Sequence, residues 1–467
     1  MLFFQLNAKP QESSFMKRII ILTAVLLNFT FVFADEQAGI RVISLSLEEA
    51  IEIAYENNKD IAIEEEQTAV AKAGITGAGS KFLPHILIGA GYTHNDAVLN
   101  IPPAMTVGSE KDVRIFTGYN NENQIGVSFT ETLFNGGANF ALFKQARLSY
   151  IAAREKLKAR RLEVAFDVKR LYNGLLLAYE TLRIAEELYD QAESHYLDVE
   201  KKYQQGTASW FDVLQSKVQG SKVTPQMVRA RNEVDLTAAE LKRILSLDLD
   251  DNIVLGGRLV CRPVEIDEGL FRQQAYFNNP DIILAALNID IKEKSIQAAR
   301  SGWLPRVEAS GEYGYKSNNW GHMFNDRHNN WNVGVQASLS IFEGFSTTAK
   351  IKEAKRRYSQ AVLEKSDMYD QVAVAVRRGC LDIKEAGAII RSQEDNIDEA
   401  REALRISVVR YDNGEGTNLD VLDAQVSLSQ IETNLSQGIY DYIMAVAYLD
   451  MVMGVEETWE DSDEEED

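Results

Sequence analysis

VKRLYNGLLLAYETLRIAEELYDQAESHYLDVEKKY, residues 168–203, repeats every seven residues. Val168, Leu175, Leu182, Tyr189, Tyr196 and Tyr203 fall at one heptad position; Leu171, Ala178, Ala185, Ala192 and Val199 fall at the other. A strict seven-residue period supercoils helices and buries a narrow stripe, and large residues facing mostly small ones suit closely spaced antiparallel neighbours. Around this seam, Ala138 to Gln205 contains no proline and a single glycine, Gly174. At about 1.5 Å per residue such a helix reaches on the order of 100 Å, too long for one globular core. Gly206 follows the last heptad residue, where a left-handed cap turns the chain back. The return helix starts near Trp210, and Pro225 is expected to interrupt and kink it.

The seam is written twice. Val376, Ile383, Ile390, Ile397, Leu404 and Tyr411, with Gly379, Ala386, Gln393, Ala400 and Ser407, stand 208 positions after the first set. Gly414 repeats the turn, Asn418 repeats the start of the return helix, and Thr433 replaces Pro225, so no kink is expected there. Leu133-Phe134-Asn135-Gly136 matches Ile341-Phe342-Glu343-Gly344, and Asp212-Val213-Leu214 matches Asp420-Val421-Leu422. Upstream the offset is 221: Asn58-Lys59-Asp60-Ile61 recurs as Asn279-Pro280-Asp281-Ile282, and Phe82-Leu83-Pro84 as Trp303-Leu304-Pro305. The change of offset falls between Tyr92 and Gly126, so the first copy has a longer loop there. So long a period marks duplication of a whole module rather than a solenoid. Each copy reads as helix, β-hairpin, very long helix and return helix. Ser46-Leu47-Glu48-Glu49 is a capping box that opens the first helix, and Leu83-Pro84 closes that helical segment.

The hairpins alternate with period two. Val307, Ala309, Gly311, Tyr313 and Tyr315 alternate with Glu308, Ser310, Glu312 and Gly314; Val333, Val335, Ala337, Leu339 and Ile341 alternate with Gly334, Gln336, Ser338 and Ser340. In the first copy Ile86, Ile88, Ala90 and Tyr92 face a return strand of Ile125, Val127, Phe129 and Leu133. Such strands have one apolar and one polar face, and roughly 9–11 tilted residues cross a bilayer. Two readings fit: hairpins spanning an outer membrane, or amphipathic hairpins packed on the helices of a soluble protein. In the membrane reading four strands leave two unsatisfied edges, so copies must share a barrel, and three copies give twelve strands. The loops around 93–124 and 316–331 then lie outside the cell.

Composition narrows the partners. The chain has 467 residues, 45% hydrophobic and 25% charged, with a formal net charge of −21. No basic stripe is present to neutralise phosphates, which argues against nucleic acid. Met16-Lys17-Arg18, the apolar run Ile19 to Phe33 and the small residues Val32 and Ala34 make a secretory leader, with the mature chain starting near Asp35. Later in the sequence no run of about 18 apolar residues occurs. Cys261 and Cys380 lack CxxC spacing and read as small packed thiols rather than a metal or redox pair. His322 and His328 lie near Asp326 in the second outer loop and read as solvated. No GxSxG, HExxH, P-loop or Rossmann fingerprint stands in a fitting context, so neither catalytic residues, a cofactor nor a metal is expected. The segments follow as leader 1–34, helices 35–82, hairpin 83–134, coiled-coil hairpin 135–250, linker 251–264, helices 265–303, hairpin 304–342, coiled-coil hairpin 343–455 and acidic tail 456–467.

From about Ser46 to Val455 the chain resembles the TolC-like outer-membrane efflux protein family. The most specific match is Arg410-Tyr411-Asp412-Asn413-Gly414 followed by Thr417-Asn418-Leu419-Asp420-Val421-Leu422-Asp423-Ala424; Leu133-Phe134-Asn135-Gly136-Gly137 is a second. The resemblance implies an α+β membrane protein: four transmembrane strands per chain completing a twelve-stranded trimeric barrel, continued by an antiparallel α-helical coiled-coil tunnel into the periplasm. It implies a homotrimer in outer-membrane lipid, partnered by a periplasmic adaptor protein and an inner-membrane transporter, that passes cargo outward in efflux or type I secretion. It places Asp420 and Asp423 in an acidic ring at the periplasmic gate and makes Tyr411 and Asp212 a latch between the hairpins. Gly416 and Phe211 depart from the family pattern, where an arginine and a threonine form a second latch. Two carboxylates three apart share one helix face, and repetition around a threefold axis is expected to raise some of their pKa values and favour cations. A periplasmic coiled-coil adaptor or scaffold without a barrel is the alternative.

Overall fold

The structure is a computed structural model, and it describes residues 42–95, 121–324 and 329–455. The leader, Asp326, His328 and the acidic tail lie outside the described residues. The chain divides into a small unit, described at Val42, Ile43 and Asp250–Asn252, and a large one, Ser44–Leu249 with residues from Ile253 onward. All the described helices and the four-stranded sheet belong to the large unit. Strand β1 is Val42–Leu45.

Each expected first helix is two helices broken at an asparagine. Helix α1 (Leu47–Asn57) opens on the Ser46 capping box: Ser46 Oγ accepts from the Glu49 amide at 3.2 Å, and Glu49 Oε2 accepts from the Ser46 amide at 2.8 Å. Asn58 ends it and caps α2 (Lys59–Gly79), its Oδ1 accepting from the Asp60 and Ile61 amides. A 3-10 turn, Ser80–Phe82, runs into Pro84 and the strands β2 (His85–His94) and β3 (Asn121–Asn135). Then come α3 (Ala138–Gln204), α4 (Trp210–Ile244) and the short β4 (Asn252–Leu255), which falls inside the segment expected to be a plain linker. The second copy repeats the order with α5 (Glu268–Asn278), α6 (Pro280–Arg300), β5 (Arg306–Ser317), β6 (Asn329–Ser338), α7 (Ser346–Asp412) and α8 (Asn418–Met453). Helices α3 and α7 are each 67 residues long.

The repeated asparagines explain why that motif is written twice. Asn58 Nδ2 donates to the Ile244 carbonyl in the last turn of α4 at 2.8 Å, and Asn279 Nδ2 donates to the Val452 carbonyl of α8 at 2.8 Å. One side chain therefore caps the start of one helix and satisfies an orphan carbonyl at the end of another. Both amides are buried. Around the second one, Ala275, Ile282, Val376, Cys380, Ile383 and Leu449 form a core between α5, α6, α7 and α8. Burial raises the pKa of Cys380 and Cys261, as suits packed thiols.

The heptad seam stays buried almost to the tip in the first copy and loosens toward the tip in the second. Val168, Leu175, Ala192 and Val199 of α3 are fully buried, as is Val376 of α7, whereas Ile397 and Leu404 nearer the second tip are only half-buried. Pro225 does not interrupt the return helix: α4 runs unbroken through it. The ring takes the amide that Ser221 would otherwise receive, and the neighbouring hydroxyls turn back onto the helix, Ser221 Oγ to Lys217 O and Thr224 Oγ1 to Gly220 O.

The strands form one antiparallel sheet in the order β2-β3-β5-β6. Ile88, Val127, Tyr313 and Trp331 stand in one cross-strand row, and Ile86, Phe129, Gly311 and Val333 in the next along that face. The opposite face carries the rows Leu87, Ser128, Glu312, Asn332 and Gly91, Gln124, Lys316. Register thus largely sorts apolar from polar across the four strands, with Leu87 on the polar face and Glu131, in one row with Ala309 and Val335 on the apolar face, as the exceptions. The apolar face is bare: Ile88 is 74% exposed and Trp331 72%. The reading in which the hairpins pack on their own helices is thereby excluded. Strand β3 continues to Asn135 through a bulge at Leu133, but β6 stops at Ser338, short of the Ile341 expected from the alternation. The reason is pairing: the one partner of β6, β5, begins at Arg306 opposite Ser338, directly after Pro305, so residues 339–341 run past the start of that strand.

Candidate functional site at the helical tips

The two tips are built alike. At the end of α3 the Thr207 amide donates to Lys202 O and the Gly206 amide to Tyr203 O; at the end of α7 Glu415 and Gly414 do the same to Arg410 and Tyr411. This pair of bonds requires a left-handed residue, and Gly206 (φ +82°) and Gly414 (φ +75°) supply it with open space around each. Gly206→Ala and Gly414→Ala are therefore each expected to cost about 1–2 kcal/mol through backbone strain alone, read as a lower thermal midpoint of the purified protein. An unchanged midpoint would show that the tips relax freely.

Asp212 and Asp420 occupy the same place in the two copies, the third residue of a capping box. Asp420 Oδ2 accepts from the Thr417 amide at 2.9 Å, and Asp212 Oδ2 accepts from Ser209 N at 3.1 Å and Ser209 Oγ at 2.7 Å. Asp420 is fully solvated, and its hydrogen bonds with Thr417, backbone first, hold its carboxyl below the usual range. Within one chain the shift is thus opposite to the rise expected from ring repulsion. Asp423 lies one turn on, also exposed.

Tyr411 and Asp212 are not brought into a hydrogen bond. Asp212 is held in its cap, and Tyr411 Oη is buried with no hydrogen-bond partner among the described residues. Burial, then the nearby Asp212 and Asp412 charges, raise the pKa of the phenol. A different set of groups joins the hairpins. Asn418, the first residue of α8, donates from Nδ2 to the Asp212 carbonyl at 3.3 Å and to Gln215 Oε1 at 3.1 Å. Its Oδ1 lies 3.1 Å from Ser216 Oγ and 2.6 Å from His195 Nε2. Because the Asp212 carbonyl can only accept, the amide orientation is fixed, and His195 carries its proton on Nε2. The His195 ring rests 5.4 Å from that of Tyr411, while Lys202 Nζ sits 4.3 Å above the Tyr411 ring and 2.7 Å from Asp412 Oδ1.

Gly416 packs closely. A Cβ there meets Arg410 Cβ and the Tyr411 amide at 3.1 Å, and Arg410 reaches round the turn to the Glu415 carbonyl at 3.2 Å. Trp210 and Phe211 at the other tip are largely exposed.

The outer membrane efflux protein family model matches residues 50–246 and 271–455, one match in each copy of the duplicated module. The chain belongs to the outer membrane efflux protein family. Among curated relatives, the alkaline protease secretion protein AprF of Pseudomonas aeruginosa is 23% identical, with 88% of this chain and 85% of AprF covered. Outer membrane protein TolC of Vibrio cholerae is 25% identical over 88% of this chain and 90% of its own length. Among solved structures, the Campylobacter jejuni CmeC outer membrane channel superposes with a TM-score of 0.76 at 19% identity, covering 87% of this chain and 85% of CmeC. CusC superposes with a TM-score of 0.75 at 20% identity, covering 88% and 92%. These two likenesses speak for the fold.

As an outer membrane efflux protein, the chain is an outer-membrane exit duct of the efflux and secretion class, with its helical tunnel on the periplasmic side. The family is one of channels and transport ducts. No described helix is long and apolar enough to cross a membrane. The sequence placed Asn418 at the start of the return helix but gave neither it nor His195 a contact between the hairpins. The available signal was Asn418 itself, a poor inner-helix residue directly behind the Thr417 cap.

Proposed function

We propose that three copies of this outer membrane efflux protein pair β6 of one chain with β2 of the next, closing a twelve-stranded barrel above a periplasmic helical tunnel. The observation that carries this is the sheet: its apolar residues share one bare face, and its two free edges run in opposite senses. An antiparallel β6–β2 joint then continues the ladder without a break and satisfies both edges in lipid. The aromatic residues support the same placement. Tyr92, Tyr313, Trp331 and Phe324 gather toward one end of the strands, and Phe82, Phe134 and Phe342 toward the other, as aromatic girdles flank a lipid-facing band. The polar face, with Glu308, Glu312 and Lys316, becomes the wall of a hydrated duct.

The duct is a passive one in this proposal, without catalytic residues, cofactor or metal. Its tips receive a periplasmic adaptor, which joins it to an inner-membrane transporter for efflux or type I secretion. Asp420 and Asp423, exposed at the start of α8, line the entrance in triplicate and attract cations. The test is cation block of the reconstituted trimer. Asp420→Ala with Asp423→Ala is expected to abolish it, and Asp423→Ala alone, which leaves the Thr417 cap intact, to weaken it. Unchanged block in both variants removes these residues from the gate.

A further inference from the structure

The groups that join the two helical hairpins come from three helices and converge on one amide. Asn418 is 2% exposed and its partner Ser216 is fully buried. Four contacts reach it from the first hairpin: His195 of α3, and Ser216, Gln215 and the Asp212 carbonyl of α4. The amide has two donor hydrogens and an acceptor oxygen with two lone pairs, and all of that capacity is used. Asn418 plays no part in starting its own helix, since Thr417 and Asp420 make the capping box. Its side chain is therefore committed to the neighbouring hairpin.

We propose that Asn418 is the clasp that holds the second hairpin against the first, and that His195 makes this clasp release on acidification. The proposal rests on the reading of these tips as the closing end of the duct. Parting the hairpins exposes Asn418, Ser216 and His195 to water and breaks these hydrogen bonds within the chain. Closed, His195 is held neutral, chiefly because burial disfavours its charged form; the Asn418 bond opposes that shift. The charged groups around it are Lys202 and Asp198 on its own helix, Tyr411 and Asp412 on α7, and Asp212 on α4. Lys202 disfavours protonation, whereas Asp198 and Asp412 favour it. With the pKa lowered in the clasped state, clasping is fully favoured above the ordinary histidine value of about 6.5 and weakens as pH falls below it.

The experiment uses the full-length protein reconstituted in bilayers, with Cys261 and Cys380 changed to serine and spin labels on Gln205→Cys and Asn413→Cys, one beside each tip. Label separation is read by pulsed electron resonance and conductance by single-channel recording. Asn418→Ala is expected to widen the distance and raise open probability about tenfold at neutral pH. An unchanged distance overturns the clasp. A widened distance with unchanged conductance leaves the clasp standing and instead refutes the tips as the closing end. Lowering the pH from about 7.5 to about 5.5 is expected to part the labels in the parent protein. His195→Gln retains a donor toward Asn418 and cannot titrate there, so its distance is expected to stay short at both values. A His195→Gln response equal to that of the parent overturns the role of His195.

Discussion

Asn279→Ala is expected to lower the stability of the folded chain by about 3 kcal/mol. Two losses add. The Asp281 and Ile282 amides at the start of α6 lose their acceptor, worth about 1 kcal/mol for a helix cap. The Val452 carbonyl loses its donor at a site where Asn279 is 6% exposed, so it is stranded away from water at a cost of about 1–3 kcal/mol. Asn279→Ser separates the terms, because serine still caps α6 but is too short to reach Val452. Its expected cost is roughly 2 kcal/mol, the carbonyl part alone. Thermal melts followed by circular dichroism on detergent-extracted protein give the order parent, serine, alanine. Equal midpoints for serine and parent would mean that the bond to Val452 contributes nothing. Asn58, bonded to Ile244 in the same way, is expected to give the same order.

The second large effect concerns the sheet. Val335 lies mid-strand on the apolar face, opposite Ala309, and Gln336 lies next to it on the polar face, opposite Glu308. Val335→Arg is expected to cost about 2–4 kcal/mol for each arginine placed in lipid, and a trimer carries three. Assembly in the outer membrane should then fall by more than tenfold, read as heat-modifiable trimer on unboiled gels. Gln336→Arg, one residue away, faces water and Glu308 and should assemble like the parent. If both variants failed equally, the assignment of the two faces would be wrong, since nothing but the pleat distinguishes the two positions.

Much of this was legible because it is periodic. The heptads Val168 to Tyr203 and Val376 to Tyr411 mark long helices, since burial of a narrow stripe admits one spacing and no other. Alternation around Val335 marked the strands for the same reason. What periodicity cannot show is where pairing ends. Residues 339–341 alternate correctly, yet β6 stops at Ser338 because a strand needs a neighbour as well as a pattern. Pro225 misled in the other direction: a residue that breaks short helices is carried through by a long one with ample bonds on either side. The clasp at Asn418 left no pattern, because its partners come from positions 195, 212, 215 and 216, which only the fold brings together. Asp212, assigned by resemblance to a latch with Tyr411, instead holds Ser209 by its side chain and accepts from Asn418 through its carbonyl.

The two free edges of the sheet, β2 and β6, bear on how the proposed barrel is made. A newly exported chain carries two raw borders of backbone amides and carbonyls, each able to zip onto the other border of a sister molecule. Such head-to-tail growth has no natural end in a flat array, and stray chains would polymerise. In the proposed barrel, twist curls the growing sheet until its first and last borders meet. In the proposed trimer no border is then left open, and a fourth copy finds nothing to join.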